Sequence, residues 1–500
     1  MAREGPRLDC HYAIKENPPE GFMRHPCILI AVLIALFACA SGSAQAAPRP
    51  NIIYILADDV GYGDLSCYGQ KKFQTPHLDR MAAEGMRFTA HYAGACVCAP
   101  SRFTLMMGKH IARAHTEGQG QELHVGDRTI ANHLQDNGYA TAMIGKWGLG
   151  RRTGLPNLKG FDFWYGFLDQ RRAHFHYPEW VWKNGRKEML PDNPEKHTRH
   201  TQDLFTREAL RFIREKREQP FFLYLPYTLV HAELIVPAKF EEPFLGKLDD
   251  KPQETKPYGI LKGGYNKPRN RHAAFAGAMS FLDRDIGRIF ALLKELAIDE
   301  KTLVIFTSDN GPHGEGGADP RYFNSSGGLN RGKGWLYEGG IRVPMIARWP
   351  NRIEANSTTD HPSWFPDVFP TLAQLSGIEP TQDDLDGISL VPTLLGKGKQ
   401  QVSPYLYWSH HRQRAVRQGK WKLVRFYEAY NDITRFRDEL YDLDKDMAEQ
   451  NDLSKAKPEI TKKLLKMLHD WRDEVDAKMP YPKTATSTPA KGSRVAKPNN

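Results

Sequence analysis

Four short apolar runs limit the possible folds of this chain more than any other feature. They cover residues 51–57, 139–144, 221–225 and 302–307. Apolar residues at consecutive positions are typical of parallel strands buried on both faces. Amphipathic helical patterns lie between these runs, at 75–85, 129–137 and 273–296. Strands that alternate with helices predict an α/β fold, with a large, mostly parallel central sheet flanked by helices.

The pattern changes after the polar stretch 396–401. Short strand patterns follow at 405–408, 414–417, 420–426 and 440–443, before an amphipathic helix at 458–475. We therefore expect a catalytic domain at 47–398 and a smaller C-terminal α+β subdomain with an antiparallel sheet at 399–480. Residues 481–500 have almost no large apolar side chains, which predicts a disordered tail.

The N-terminal region has the pattern of a targeting leader. A positive segment at 23–25 precedes an apolar run at 27–40 and the small-residue site Ala44-Gln45-Ala46. This order predicts a leader at 1–46, with its signal peptide starting at Met23, and an exported chain in the periplasm or outside the cell. The run is too short for a transmembrane anchor. A lipid anchor on Cys39 is the less favoured alternative, because Phe37 is unusual at such a site.

The charge and the cysteine content limit the possible ligands and disulfides of the chain. The formal net charge is +10 over 500 residues, without a dense Lys/Arg run or zinc-finger spacing, so we do not expect nucleic-acid binding. The excess suits an anionic substrate without identifying one. Cleavage after Ala46 would leave Cys67, Cys96 and Cys98, and an odd number of cysteines cannot all pair within one chain.

Polar residues follow the first and fourth apolar runs. Asp58 and Asp59 come directly after the first, and Asp309 and Asn310 follow the fourth closely. Ligands bind at the carboxyl ends of strands in open α/β sheets, so we expect these side chains to converge. An all-oxygen set suits calcium or magnesium better than zinc. The alternative is that they are turn and helix-cap residues.

The segment Cys98-Ala99-Pro100-Ser101-Arg102 predicts a helix start, with Gly108 ending the helix. Free backbone N–H groups there favour an anion or a thiolate at Cys98, and Arg102 lies one turn further on. An ordinary loop before a helix would fit the same residues.

Three cationic residues follow core strands or lie soon after one: Lys146, His231 and Lys333. Each alone would pass as a surface or structural residue. Together with a divalent metal at one sheet edge, they predict a site for an ester of a tetrahedral oxyanion.

These segments resemble, in order, the formylglycine-dependent sulfatases of the alkaline phosphatase superfamily, over about 50–475. The resemblance rests on the opening block 51–65, the signature 98–109, and the later blocks 307–312 and 337–344. It implies sulfate ester hydrolysis with one calcium ion per chain. It also implies a maturation enzyme that converts Cys98 to formylglycine, an aldehyde held as its hydrate.

The resemblance also implies residue roles. Calcium is held by Asp58, Asp59, Asp309, Asn310 and the modified Cys98. Arg102 holds and polarises formylglycine, and Lys109 supports it. Lys146 and Lys333 bind the sulfate oxygens, and His231 lies near the leaving-group oxygen. One hydroxyl of the hydrate attacks sulfur, and the second then allows sulfate to be expelled.

Two residues depart from the family pattern. Most relatives carry His at the position of Gly148, and Thr at the position of Met107. We expect His174 or His176 to replace the missing imidazole.

The expected substrate is a sulfated small molecule or polysaccharide, with aryl sulfates as model substrates. Export favours a carbohydrate, and Tyr177, Trp180 and Trp182 in the loop region 151–200 are of a type that stacks on sugars. The alternatives are a phosphoester or phosphonate hydrolase on the same fold and an inactive polysaccharide-binding relative.

Overall fold

The computed structural model describes residues 49–114, 122–252, 265–379, 385–429 and 432–475. The predicted leader 1–46 and tail 481–500 therefore lie outside the described residues. No described helix is both long enough and apolar enough to cross a membrane.

The described residues form sixteen strands. In chain order they are β1 Asn51–Ala57, β2 Met86–Phe88, β3 His91–Tyr92, β4 Ala140–Lys146, β5 Phe163–Phe167, β6 Trp180–Lys183, β7 Arg186–Met189, β8 Phe221–Pro226, β9 Thr302–Ser308, β10 Met345–Arg348, β11 Ser357–Thr359, β12 Ser363–Trp364, β13 Leu406–His410, β14 Gln413–Gln418, β15 Trp421–Ala429 and β16 Asp432–Asp442.

The α-helices lie between and after these strands. They are α1 Pro76–Ala83, α2 Cys98–Met107, α3 Ile130–Asp136, α4 Asn193–Lys196, α5 Thr201–Lys216, α6 Ala238–Glu241, α7 Arg271–Glu295, α8 Glu338–Ile341, α9 Val368–Leu375, α10 Val391–Leu395 and α11 Pro458–Glu474.

Ten strands form the central sheet, in the order β11-β2-β10-β9-β1-β8-β4-β5-β6-β7. The middle five, β9 to β5, are all parallel. Alternate residues of β1 pack on opposite sides: Ile53 belongs to the cluster that includes Met279 of α7, and Ile52 to the cluster that includes Leu134 of α3. The sheet is buried on both faces, and the predicted α/β fold is confirmed.

Strands β13 to β16 form a separate antiparallel sheet, as predicted for the C-terminal part. Trp408 of this sheet shares one apolar cluster with Tyr92 and Trp364 from the first part of the chain. Lys422 of β15 forms buried ion pairs with Glu338 of α8 and with Glu449. The boundary at 398/399 therefore remains a prediction, since the two parts pack closely together.

The region 151–200, interpreted from the sequence as loops, contains regular structure. Strands β5, β6 and β7 extend the central sheet there, and β6 and β7 form an antiparallel hairpin. Asn184 and Gly185 connect the hairpin with φ angles of 45° and 82°. Two residues with positive φ are what a tight hairpin turn of right-handed strands requires.

Candidate active site

The sheet order explains how distant residues meet. Strands β9, β1, β8 and β4 are neighbours and run parallel, so their carboxyl ends lie at one edge. Asp309 follows β9, Asp58 and Asp59 follow β1, His231 lies beyond β8, and Lys146 is the last residue of β4. Ala57 pairs with Ser308, which places Asp58 and Asp309 at the same level.

The predicted acidic residues form one buried cluster. Ligand atoms of Asp58, Asp59, Asp309 and Cys98 all lie within 4.8 Å of one another. The backbone N–H of Asp59 donates to Asp309 Oδ1 at 3.1 Å, and Asn310 Nδ2 donates to Asp59 Oδ1 at 2.6 Å. Among the described residues, Asn310 Oδ1 is buried without a hydrogen-bond partner. An all-oxygen set with an unpartnered buried carbonyl oxygen fits a hard cation such as calcium.

Three cations face these carboxylates. Arg102 donates from Nε and Nη2 to Asp309 Oδ2 at 3.0 and 2.7 Å. Lys146 Nζ lies 2.7 Å from Asp58 Oδ2, and Lys333 Nζ lies 2.9 Å from Asp59 Oδ2. Three carboxylates therefore face three cations in a site almost closed to water, where each charge needs a partner.

The protonation of the carboxyl groups follows from these contacts. Burial by itself raises the pKa of Asp58, but Lys146, His231 and Arg102 together hold that pKa well below its ordinary value. Burial, followed by the charge of Asp58, raises the pKa of Asp309 to about 6 despite Arg102. The cluster thus contains carboxylates that repel one another, which a bound cation would stabilise.

Cys98 is the first residue of α2, and its thiol lies next to the carboxylates. Its Sγ lies 3.3 Å from Asp58 Oδ1 and 3.9 Å from Asp59 Oδ1. Burial, together with Asp309 and Asp58, raises the pKa of this thiol well above its usual value. The expectation that the helix N-terminus favours a thiolate is not met, since burial and the adjacent carboxylates both raise the pKa of the thiol.

A group of aromatic rings forms one wall of the site. His174 stacks on His231 with ring centroids 3.8 Å apart, and His231 stacks on His313 at 5.0 Å. His231 Nε2 lies 3.4 Å from Asp59 Oδ2, while its Nδ1 lies 2.8 Å from the carbonyl oxygen of Ala232. A carbonyl can only accept, so Nδ1–H donates to it and Nε2 faces the site.

His174 links this wall to the cations. Its Nε2 lies 3.5 Å from Lys146 Nζ, and its Nδ1 lies 2.9 Å from the hydroxyl of Tyr265. His176 is completely buried behind this wall, with Nδ1 3.3 Å from Thr228 Oγ1 and Nε2 3.4 Å from the carbonyl oxygen of His231. Of the two histidines considered as replacements, only His174 lines the cavity that contains Cys98.

The space next to Gly148 is filled by a residue that the sequence interpretation missed. A β-carbon at position 148 would collide with the side-chain amide of Gln170, and Gly148 has a φ of +74°. Gln170 and Gly148 both line the cavity that contains Cys98. The side chain of Gln170 can therefore keep this position only while residue 148 is glycine.

Lys109 comes after the far end of the helix that Cys98 begins. It follows the opposite end of α2, whose ten residues separate the two ends by roughly 15 Å at 1.5 Å per residue. The supporting role that the resemblance implies for Lys109 therefore stays a prediction.

A cavity of about 660 Å³ opens onto Cys98, His174, His231 and Lys333. Glu315, half exposed, lies at its rim 3.5 Å from His231 Nε2 and 3.8 Å from Lys333 Nζ. Fold and site together define the class of protein, an enzyme that hydrolyses esters of a tetrahedral oxyanion.

Comparison with known proteins identifies the family. Residues 50–378 match the Sulfatase family, and residues 331–474 match the domain described as N-sulphoglucosamine sulphohydrolase, C-terminal. The chain is 32% identical to N-acetylgalactosamine-6-sulfatase of Canis lupus familiaris, over 81% of this chain and 77% of the relative. It is 28% identical to N-acetylgalactosamine-6-O-sulfatase of Bacteroides thetaiotaomicron, over 85% and 94%. The chain therefore belongs to the Sulfatase family and is a sulfatase.

Solved structures agree with this assignment. The crystal structure of Ps i-CgsB in complex with k-i-k-neocarrahexaose matches with a TM-score of 0.72 and 26% identity, over 86% of this chain and 94% of that one. Phosphonate monoester hydrolase of Agrobacterium radiobacter matches with a TM-score of 0.63 and 21% identity, over 85% and 96%, which shows a shared fold alone.

Proposed function

We propose that this sulfatase hydrolyses an O-sulfate ester on a carbohydrate, using a calcium ion and a formylglycine made from Cys98. The observation that carries the proposal is the convergence of Cys98 with three carboxylates inside 4.8 Å, surrounded by Arg102, Lys146 and Lys333. The carbohydrate class is supported by the relatives named as N-acetylgalactosamine sulfatases.

The metal would be held by side-chain oxygens of Asp58, Asp59, Asp309 and Asn310. The unpartnered Asn310 Oδ1 supports this assignment, because a buried carbonyl oxygen without a donor costs free energy unless something binds it. A calcium ion there would attract the sulfuryl oxygens and stabilise negative charge on them.

Position 98 is suited to a nucleophile, because the residue there is held between the start of α2 and the carboxylates of Asp58 and Asp59. It lies at the N-terminus of α2, where backbone N–H groups point towards the site. A formylglycine hydrate would supply two hydroxyls on one carbon, one as nucleophile and one that permits release of sulfate. Arg102, completely buried and bonded to both Asp309 and the carbonyl oxygen of Lys146, fixes the end of β4 against α2.

Lys146 and Lys333 pair with different carboxylates of the cluster, Lys146 with Asp58 and Lys333 with Asp59. Each bonds one carboxylate, and each carries further N–H donors for oxygens of a sulfate ester. His174 accepts from Lys146 at Nε2 and donates from Nδ1 to Tyr265, which holds the ammonium group in place. His231 presents Nε2 to the cavity, where the leaving-group oxygen of a bound ester would lie.

Export and maturation are part of the same proposal. The segment 23–46 would direct the chain out of the cytoplasm, and a formylglycine-generating enzyme would modify Cys98. Export follows from the leader pattern and maturation from the family resemblance, and N-terminal sequencing of the secreted chain should find Ala47 first.

The proposal is tested by kinetics on matched esters. The chain is co-expressed with a formylglycine-generating enzyme and assayed with an aryl sulfate, the corresponding aryl phosphate and 6-sulfated N-acetylgalactosamine. We expect turnover of both sulfate esters, with the phosphate slower. Faster hydrolysis of the phosphate would favour a phosphoester hydrolase, and binding without turnover of any ester would favour an inactive carbohydrate-binding relative.

A further inference from the structure

The cavity at Cys98 is the middle one of three. Leu168 and Asp169 line both this cavity and a neighbouring one of about 790 Å³, and Glu315 and Lys333 line both it and a third of about 880 Å³. Shared lining residues make the three cavities neighbours, with the nucleophile in the middle one, and together they are called the groove. Cavities of about 300–1,000 Å³ hold drug-sized molecules, so the groove is much larger than one sulfate group requires.

The neighbouring cavity is built on the hairpin β6–β7. Trp180 and Trp182 are two residues apart on β6 and therefore lie on one face. Lys187 of β7 is the pairing partner of Trp182, which places its side chain on that same face. The Asn184-Gly185 turn fixes the register, so the hairpin presents two indoles and an ammonium group to the cavity.

Two cations of this cavity lie against an aromatic ring. The guanidinium carbon of Arg172 lies 4.2 Å from the ring centroid of Trp180, and Lys187 Nζ lies 4.4 Å from it. Within the described part of the chain, no carboxylate forms an ion pair with Arg172 or Lys187. Asp169, which also lines the cavity, pairs instead with Arg151 at 3.3 Å and accepts from the backbone N–H of Arg172.

The cationic groups of Arg172 and Lys187 are therefore held against an indole and form no ion pair among the described residues. A cation over an indole is held in place by the ring, and it keeps N–H donors for a carboxylate or sulfate of a ligand. The half-buried Trp182 adds an apolar surface of the kind on which a sugar ring stacks. At the far end of the groove, Arg331 lies 4.9 Å from the ring centroid of Trp335, which is 37% exposed.

We propose that the cavity formed by Arg172, Trp180, Trp182 and Lys187 is a second saccharide subsite that binds an acidic or sulfated sugar next to the residue being desulfated. The substrate is then a polyanionic oligosaccharide or polysaccharide that extends along the groove. This rests on the proposed carbohydrate sulfatase function and specifies its substrate class.

Binding to the Cys98→Ala chain tests the subsite without turnover. Di- and hexasaccharides of chondroitin 6-sulfate are titrated by calorimetry. We expect the hexasaccharide to bind at least about tenfold more tightly, because only it spans both cavities. In an added Arg172→Gln/Lys187→Gln pair, this preference should shrink to about threefold or less, since each charged hydrogen bond lost is worth about tenfold.

Arg186→Gln is the matched control. Arg186 precedes Lys187 in β7 and points to the other face, so the same change of charge should leave the preference unaltered. Lys187→Gln alone, at an exposed side chain, keeps the test valid if the double variant fails to fold. Equal affinity for the two saccharides, or an undiminished preference in the variants, would overturn the proposal.

Turnover of an aryl sulfate by the matured wild-type chain is measured separately. Failure there would contradict the proposed sulfatase chemistry, whereas the length dependence of binding concerns the subsite. The two failures are therefore distinguishable.

Discussion

The side-chain amide of Gln170 fills the space that a β-carbon at Gly148 would need, beside the nucleophile. The two residues are separated by a loop and by strand β5. Any side chain at position 148 must therefore displace Gln170 as well as adopt a φ of +74°.

This relationship predicts the cost of Gly148→Ala. A left-handed backbone alone costs a non-glycine residue about 1–2 kcal/mol. Gly138 is the control, because its φ is +84° and no atom lies within 4 Å of an added β-carbon. In thermal unfolding, Gly148→Ala should lose more stability than Gly138→Ala, and the difference should vanish in a Gln170→Ala background. Equal losses at the two glycines would contradict the steric pairing.

Asp309→Asn should remove the metal and nearly all turnover. The change keeps the shape of the side chain but takes one charge from the cation site and the ionic partner from Arg102. We expect calcium affinity and kcat on an aryl sulfate each to fall roughly 100-fold or more. Metal analysis after dialysis measures the first quantity. Asp192→Asn, at an exposed carboxylate paired with Lys196, is the control and should retain one calcium per chain.

His174→Ala should slow turnover while His176→Ala should mainly reduce stability. The first change removes the ring that stacks on His231 and bonds Lys146. The second leaves a cavity around Thr228 and His200. We expect at least about a tenfold loss of kcat for His174→Ala, because the ring holds in place the ammonium group of Lys146, which binds the sulfate oxygens. If neither variant loses tenfold, the idea of a replacement histidine is wrong.

Lys422→Met should destabilise the chain in a pH-dependent way. Lys422 lies between two buried carboxyl groups, 2.9 Å from Glu338 and 2.8 Å from Glu449. Its loss leaves an uncompensated buried charge, a change worth about 3–5 kcal/mol. Burial raises the pKa of Glu449 to about 7, and removing Lys422 raises that pKa further.

The sign of the pH effect follows from that raised pKa. Between the unfolded pKa and the folded one, the folded state binds the additional proton, so stability falls as pH rises. The melting temperature of Lys422→Met should therefore decrease from pH 5 to pH 8 more steeply than that of the wild type. Lys420→Met, at a half-buried residue just before β15 that pairs with Asp442, serves as control. A pH-independent loss would contradict the account.

The central strands could be predicted well because strands buried on both faces have apolar residues at consecutive positions. It also placed Asp58, Asp309, Lys146 and His231 at one edge, since parallel strands end together. The other residues that line the cavity were harder to predict. Gln170 and Tyr265 reach the site only through tertiary packing, which has no local pattern.

Two missed features did have a signal. His313 and Glu315 follow Asn310 in the same strand-end loop, so the reasoning that selected Asp309 applies to them also. The hairpin β6–β7 has alternating residues around Asn184-Gly185, a strong hairpin pattern. The role of Lys109 stays a prediction, since roughly 15 Å separates the two ends of α2.

The central claim is that turnover depends on formylglycine at position 98 and not on the cysteine thiol. The measurement that tests it most directly compares preparations with different extents of maturation. Mass spectrometry of the peptide containing residue 98 gives the fraction converted, and kcat on an aryl sulfate is measured for each preparation. We predict that kcat rises in proportion to the converted fraction and extrapolates to zero for the unconverted chain. Multiple turnovers by a preparation in which Cys98 is wholly unmodified would contradict the account.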